Sequence, residues 1–368
     1  MPRSRELAEL ATSYDSGGSL GFRNRIINPG MVIDQRNNGA SVTITNTSDI
    51  TYVLDRWFGF GTSASKFSVQ RNAGSVTPPT GFSNYFGVTS LSAYTVGSGD
   101  SFTMGQYIEG FNTADLGWGT ANAQTITLSF WVRSSLTGTF GGALRNSDVN
   151  RGYPFAYTIN AANTWEQKSI VIAGDTSGTW VGATNGAGIR LGFGLGVGST
   201  FSGTAGAWAA GNLTSATGAT SVVGTNGATF YITGVQLEAG SVATPFERRD
   251  YGRELMMCQR YAIVYGRDQN YNEIGGTGFA YSTTKTNIPV SMPVQMRSTP
   301  TISNSGNLQA SDGASATALT AIGIVTQQSS SLIASLEGTT ASGLTAFRPY
   351  RIETNNSTTA YVLLSSEL

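Results

Sequence analysis

The sequence predicts an all-β protein: a jelly-roll β-sandwich, then a short helix, then a second, small β-sandwich domain. Three observations lead there. Glycine is abundant at 47 residues while charged residues make up only 12%, the composition of many short strands joined by turns. Apolar residues recur with a period of two over long stretches. Helix-forming residues at helical spacing are confined to two short segments. At 368 residues the chain suits two domains of moderate size and a short tail.

The elements follow in order. Ser4 can cap a helix over Arg5–Ala11, with Leu7, Leu10 and Ala11 on one side. Residues 12–19 are a Ser/Gly-rich linker, so residues 1–20 read as a terminal helix and tether. Residues 21–246 alternate as strands do. Ser41–Thr45 and Thr125–Val132 are examples, and Trp57 and Trp131 are expected in the core. In the cleanest strand Ile189, Leu191, Phe193, Leu195 and Val197 share one face, opposite Arg190, Gly192, Gly194 and Gly196. Glycine along one face costs stability, so something should approach that backbone closely. Thr229–Leu237 is a further strand, entered through an Asn226-Gly227 turn.

Residues 247–262 change texture. Tyr251, Leu255, Cys258 and Ala262 recur at steps of four, three and four, a short helical stripe. It serves either as a seam between copies of the chain or as a face docked on its own sandwich. Residues 263–368 form the second β domain. Its markers are Ile288, Val290, Met292, Val294 and Met296, interrupted by Pro289 and Pro293 as in an edge strand. Tyr350–Glu353 and Ala360–Leu364 are expected to close it as a hairpin.

Composition excludes several function classes. Lys plus Arg (22) balances Asp plus Glu (22), so neither a nucleic-acid nor an anionic-membrane partner is indicated. No apolar run has membrane-spanning length, and Met1–Leu10 lacks the apolar core of a signal peptide. Cys258 is the one cysteine, which leaves no intrachain disulfide. Leu191–Leu237 and Asn72–Gly99 carry no charge, so such surface either packs on another copy or faces a neutral polar ligand.

The chemistry is equally bounded. With no histidine the commonest general base and metal ligand is missing. Gly17–Gly21 fits G-x-S-x-G around Ser19, yet no histidine exists to activate that serine. Carboxylate pairs suffice for glycosidases, and Glu109, Asp115, Asp148, Glu166 and Asp175 stand near aromatics. No catalytic residue and no cofactor is assigned, and an enzyme is not expected. One structural calcium, held by Asn28, Asp34 or Glu238, is the metal such a fold would admit. For sugar binding, Gln106–Trp118 combines aromatic faces with polar side chains. Trp118, Asp115 and Asn112, with Trp208, are the candidate carbohydrate ligands, while Tyr107 and Phe111 are expected as core.

These residues also carry a resemblance. Arg25-Ile-Ile-Asn-Pro-Gly-Met-Val-Ile-Asp-Gln-Arg36, Tyr52-Val-Leu-Asp-Arg-Trp57, the segment Gly234–Glu247, Cys258-Gln-Arg-Tyr261, Pro293–Thr301 and Ser366-Glu-Leu368 resemble, in this order, motifs of phage and prophage tail-fibre proteins. Pro29 and Ala262 depart from the usual residues. The resemblance implies a jelly roll like a carbohydrate-binding module, a β tip domain and a homotrimer. It further implies attachment to other tail or baseplate proteins through the N-terminus, and a virion assembled in the bacterial cytoplasm. The expected function is recognition of host cell-surface polysaccharide during adsorption. A connector or spacer without a ligand is the alternative, and a polysaccharide depolymerase the next.

Overall fold

A computed structural model describes residues 22–368. The expected helix Arg5–Ala11, the linker and Ser19 lie outside the described residues. The chain divides into two compact units, one through Tyr251 and one spanning Gly252–Glu367. The change of unit therefore falls inside the expected 247–262 connector.

The first unit carries β1 (Val42–Thr43), β2 (Thr51–Leu54), β3 (Trp57–Gly61), β4 (Phe67–Arg71), β5 (Phe86–Ser90), β6 (Ser101–Glu109), β7 (Ile126–Ser134) and β8 (Gly138–Arg145). Then follow β9 (Arg151–Ile159), β10 (Glu166–Ile172), β11 (Ala187–Val197), β12 (Ser202–Gly203), β13 (Ala209–Ala210), β14 (Ser215–Ala216) and β15 (Thr229–Ala239). A six-stranded sheet runs β1-β4-β5-β15-β7-β10 and a seven-stranded sheet runs β13-β9-β8-β11-β6-β3-β2. Both are antiparallel throughout. This is the jelly-roll class of β-sandwich.

Alternation explains the layers, because successive side chains leave opposite faces of a strand. Leu128, Phe130 and Val132 of β7 join Phe230 and Ile232 of β15 in the core, facing Phe102 and Met104 of β6 and Leu191, Phe193 and Leu195 of β11. Trp57 is fully buried there. Trp131 is not: it stands between Phe130 and Val132, on the outer side of β7, and is only half-buried. The core expectation for Trp131 fails because one residue of offset in a strand reverses the face.

The glycine face of β11 is covered by the chain itself. A methyl added at Gly194 would meet the Ser215 hydroxyl at 2.5 Å, and one at Gly141 of β8 would meet the same atom at 2.5 Å. Residues 198–228 thus fold back over the outer side of the seven-stranded sheet, stitched by a parallel ladder between β12 and β14. Part of the charge-free stretch Leu191–Leu237 is intrachain packing.

In the second unit helix α1 (Tyr251–Gln259) precedes β16 (Ala262–Gly266), β17 (Glu273–Ala280), β18 (Lys285–Ser291), β19 (Thr301–Asn304), β20 (Leu308–Ser311), β21 (Ala316–Ile324), β22 (Ile333–Thr340), β23 (Pro349–Thr354) and β24 (Tyr361–Ser365). The unit is β, as expected, and its main sheet closes into a barrel, β17-β18-β22-β21-β20-β23, beside a three-stranded sheet β16-β24-β19. Closure removes the sheet edges that an open sandwich would leave. Two local expectations are corrected. β18 is not an edge strand, since it pairs with β22 along its length. It tolerates Pro289 because its ladder to β17 stops at Asn287. β23 and β24 form no hairpin, because β23 joins the barrel and β24 pairs with β16 and β19. No helix among the described residues is long and apolar enough to cross a membrane.

In the first unit the strands approach very closely at Gly105 of β6: an added methyl would lie 2.0 Å from the Leu191 carbonyl oxygen. Gly192 opposite it has only the Ala143 oxygen at 4.0 Å. Gly105→Ala should therefore lose about 1–3 kcal/mol in chemical denaturation, the usual cost of overpacking, while Gly192→Ala stays within about 0.5 kcal/mol. Equal effects would contradict this register.

Candidate functional site

The outer face of the seven-stranded sheet holds a cleft of about 270 Å³. Its floor is built by alternation. Trp57 points to the core and so sends Phe58 and Phe60 of β3 outward; Phe102 and Met104 likewise send Ser101, Thr103 and Tyr107 of β6 outward. Arg190 of β11 and Arg145 of β8 complete the floor as register partners. The walls are Ser48–Ile50, Val149, and Phe201, Asn212 and Thr214 from the folded-back segment. Thr214 is fixed by its backbone N–H to the Phe201 oxygen at 2.7 Å and by a 3.0 Å hydroxyl contact with Ser101.

The aromatic and charged groups interlock. Phe58 and Tyr107 meet edge to face with centroids 4.8 Å apart, and the Arg190 guanidinium lies 4.5 Å from the Tyr107 ring centroid, a cation–π distance. Arg145 donates to the Asn212 side-chain oxygen. Burial, with the neighbouring Arg190 charge, moves Arg145 below the ordinary guanidinium value against the opposing effect of Tyr107. Flat rings beside hydroxyl, amide and guanidinium groups provide what a saccharide requires: C–H surface stacked on aromatics and hydrogen bonds to hydroxyls.

The residues singled out from sequence lie elsewhere. Trp118 and Trp208 do come together, but with Trp180 as a third ring, at centroid distances of 4.7, 5.2 and 5.3 Å, all edge to face. Trp118 belongs to the core cluster and its indole N–H donates to the Gln124 oxygen at 2.8 Å. The space beside it is about 40 Å³, room for a water and not for a sugar ring. Asp115 is clamped by Arg25 through bonds of 3.1 and 2.5 Å, and the Asn112 carbonyl accepts from the same arginine at 3.3 Å. These four residues therefore lie outside the cleft, with Trp118 and Asp115 already engaged by the chain itself. Tyr107 is buried as expected, though beside the cleft, whereas Phe111 departs from expectation and stands exposed.

The calcium candidates are spent on the fold. Asn28 donates to the Ile33 and Asp55 oxygens at 2.8 and 3.0 Å. Asp34 accepts the Asn37 and Gly39 N–H groups at 3.1 and 2.6 Å. Glu238 accepts the Thr244 N–H at 2.9 Å and its hydroxyl at 2.5 Å. Among the described residues no three acidic or cysteine side chains gather as metal ligands. These oxygens accept N–H and hydroxyl donors of nearby residues.

Other carboxylates are similarly engaged. Asp175 takes both Arg151 donors at 2.7 Å, and its carboxyl lies low because those bonds outweigh burial. Glu166 binds Lys168 at 2.6 Å and is held down at about 2, burial being outweighed by Lys168 and two backbone N–H groups. In α1 the stripe divides. Cys258 is fully buried within the chain, Tyr251 is exposed, Leu255 half-buried, and Ala262 already belongs to β16. The helix ends first because Arg260 and Tyr261 turn the chain into that strand. Burial therefore differs along the stripe, and its last residue lies outside the helix.

Sequence patterning exposed Arg190 on the glycine face but not the site. The missed residues are Phe58, Phe60, Arg145 and Arg190. Their signal was Trp57-Phe-Gly-Phe60, which places bulky rings on both sides of one strand.

No protein-family profile matches the chain, and no curated protein matches it. Among solved structures it is similar to the enzymatically active domain of tailspike protein 4 of bacteriophage CBA120, at 13% identity and a TM-score of 0.30, with 59% of this chain covered. The match spans only 21% of that tailspike chain. A family 11 carbohydrate-binding module from Clostridium thermocellum, in complex with a β-1,3-1,4-mixed-linked tetrasaccharide, matches at 11% identity and a TM-score of 0.27, over 55% of this chain and 98% of that one. TmCBM61 in complex with β-1,4-galactotriose matches at 12% and 0.29, over 59% and 99%. At such identities and scores any functional reading rests on the cleft itself.

Behind the cleft floor Asp55 is fully buried, and burial lifts its carboxyl to about 6 despite Arg36 and two bonds from Gln35. A folded value above the unfolded 3.8 means stability that is fully present below pH 3.8 and lost as pH rises through about 6. The loss amounts to about 3 kcal/mol at 1.36 kcal/mol per decade. Denaturation midpoints of the parent should fall relative to Asp55→Asn across that window; a constant difference would contradict it.

Proposed function

We propose that this protein is a glycan-binding subunit of a bacteriophage tail fibre, holding host-surface polysaccharide in the cleft of its first unit. The observation that carries the reading is the cleft: Phe60 and Phe201 supply ring surface over the buried rings of Phe58 and Tyr107, and Thr103, Asn212, Arg145 and Arg190 supply polar groups around them. The fibre context draws on the ordered resemblance from Arg25 to Leu368. Within it the N-terminus attaches to tail or baseplate proteins and three copies assemble. Each contact is weak, and several cleft copies per fibre raise avidity through effective concentration. The work is non-covalent.

A glycan array with the purified protein tests this. The expected result is retention of a defined set of oligosaccharides, reduced about tenfold or more by Phe60→Ala, which removes a half-buried cleft ring without touching the core. Retention unchanged in Phe60→Ala would move the site elsewhere. An empty array would favour a connector without ligand, and falling polysaccharide viscosity would favour a depolymerase.

A further inference from the structure

Arg190 and Arg145 sit directly opposite each other on β11 and β8, and like charges so placed repel. Elsewhere in this unit Arg25, Arg71 and Arg151 each hold a carboxylate, from Asp115, Asp34 and Asp175. The cleft pair holds none. Of the cleft's lining residues only Asp49 is acidic, and it stands exposed at the rim with its Oδ1 accepting the Ile50 N–H at 2.8 Å. The Arg190 side chain makes no hydrogen bond or ion pair among the described residues, and its Nε is buried without a partner. Its guanidinium lies over the Tyr107 ring and lines the cleft. Arg145 has the neutral Asn212. Both are lined up beside aromatic faces in a chain whose net charge is zero, so the positive character belongs to this site and not to the whole surface.

We propose that the cleft selects an anionic saccharide, a sugar ring set against Phe60, which the buried Phe58 backs, with its carboxylate or equivalent oxyanion received by Arg190 and Arg145. The inference rests on the glycan-binding reading and adds the ligand's charge class. A guanidinium fork matches an oxyanion in two parallel bonds and replaces repulsion between the arginines with attraction of both to one anion.

The test is an array and solution titration in which each carboxylated or sulfated oligosaccharide stands beside its neutral counterpart. The expected result is retention of anionic members, about tenfold or more tighter than their neutral counterparts, with affinity falling as salt is raised. Arg190→Gln should erase the preference, so that anionic members bind no tighter than their neutral counterparts, and Arg190→Lys should restore part of it as a point charge without the fork. If Arg190→Gln fails to fold, the wild-type salt dependence and Arg190→Lys carry the test. Equal binding of neutral counterparts, insensitive to salt, overturns the anionic inference and leaves glycan binding intact. Binding to no saccharide overturns both.

Discussion

A buried polar knot between residues 28–36 and 55–57 sets the geometry on which the cleft depends. Asn28 donates its amide to the Ile33 and Asp55 oxygens and accepts the Ile33 N–H at 3.0 Å. Asp55 accepts the backbone and side-chain N–H groups of Gln35, both at 2.6 Å. The Trp57 indole donates to the Asn28 oxygen at 3.0 Å, and Arg56 donates to the Tyr107 oxygen. Every partner is buried or nearly so, hence breaking one bond strands another polar group without water. The knot pins Trp57 inward, and strand alternation then obliges Phe58 and Phe60 to face out. Through Arg56 it also locks β6 at Tyr107. A site on the outer sheet is thus aligned from the inside of the sandwich.

The knot also accounts for motifs that sequence alone presents as signatures. Asn28 and Gln35 come from the Arg25–Arg36 segment, and Asp55, Arg56 and Trp57 from Tyr52–Trp57. Their spacing is preserved here by mutual hydrogen bonding, which is a reason internal to the fold. Asn28 and Asp34 look like cation ligands for the same reason that they are good turn residues: short side chains whose oxygens reach nearby backbone N–H groups.

Local periodicity made much of the fold legible. β7, β11 and β15 and the glycine face could be read because a two-residue period is written within each strand. The rest depends on partners distant in sequence. Trp118, Trp180 and Trp208 converge only after the sandwich forms, so Trp118 between two glycines resembled an exposed platform. The cleft draws on β3, β6, β8 and β11 and on a segment that returns over them, and no single window contains it. The final strands resembled a hairpin because a short turn lies between them, yet barrel closure claims β23 and the three-stranded sheet claims β24.

The proposed ligand lies between the ring of Phe60, backed by buried Phe58, and the arginine pair at Arg190 and Arg145. The most direct measurement is a crystal structure of the protein with an oligosaccharide retained on the array. The account predicts sugar density in that cleft, with a ring against Phe60 and an oxyanion within hydrogen-bonding distance of Arg190. Sugar bound at the Trp118, Trp180 and Trp208 end, or on the second unit with the cleft empty, would contradict it.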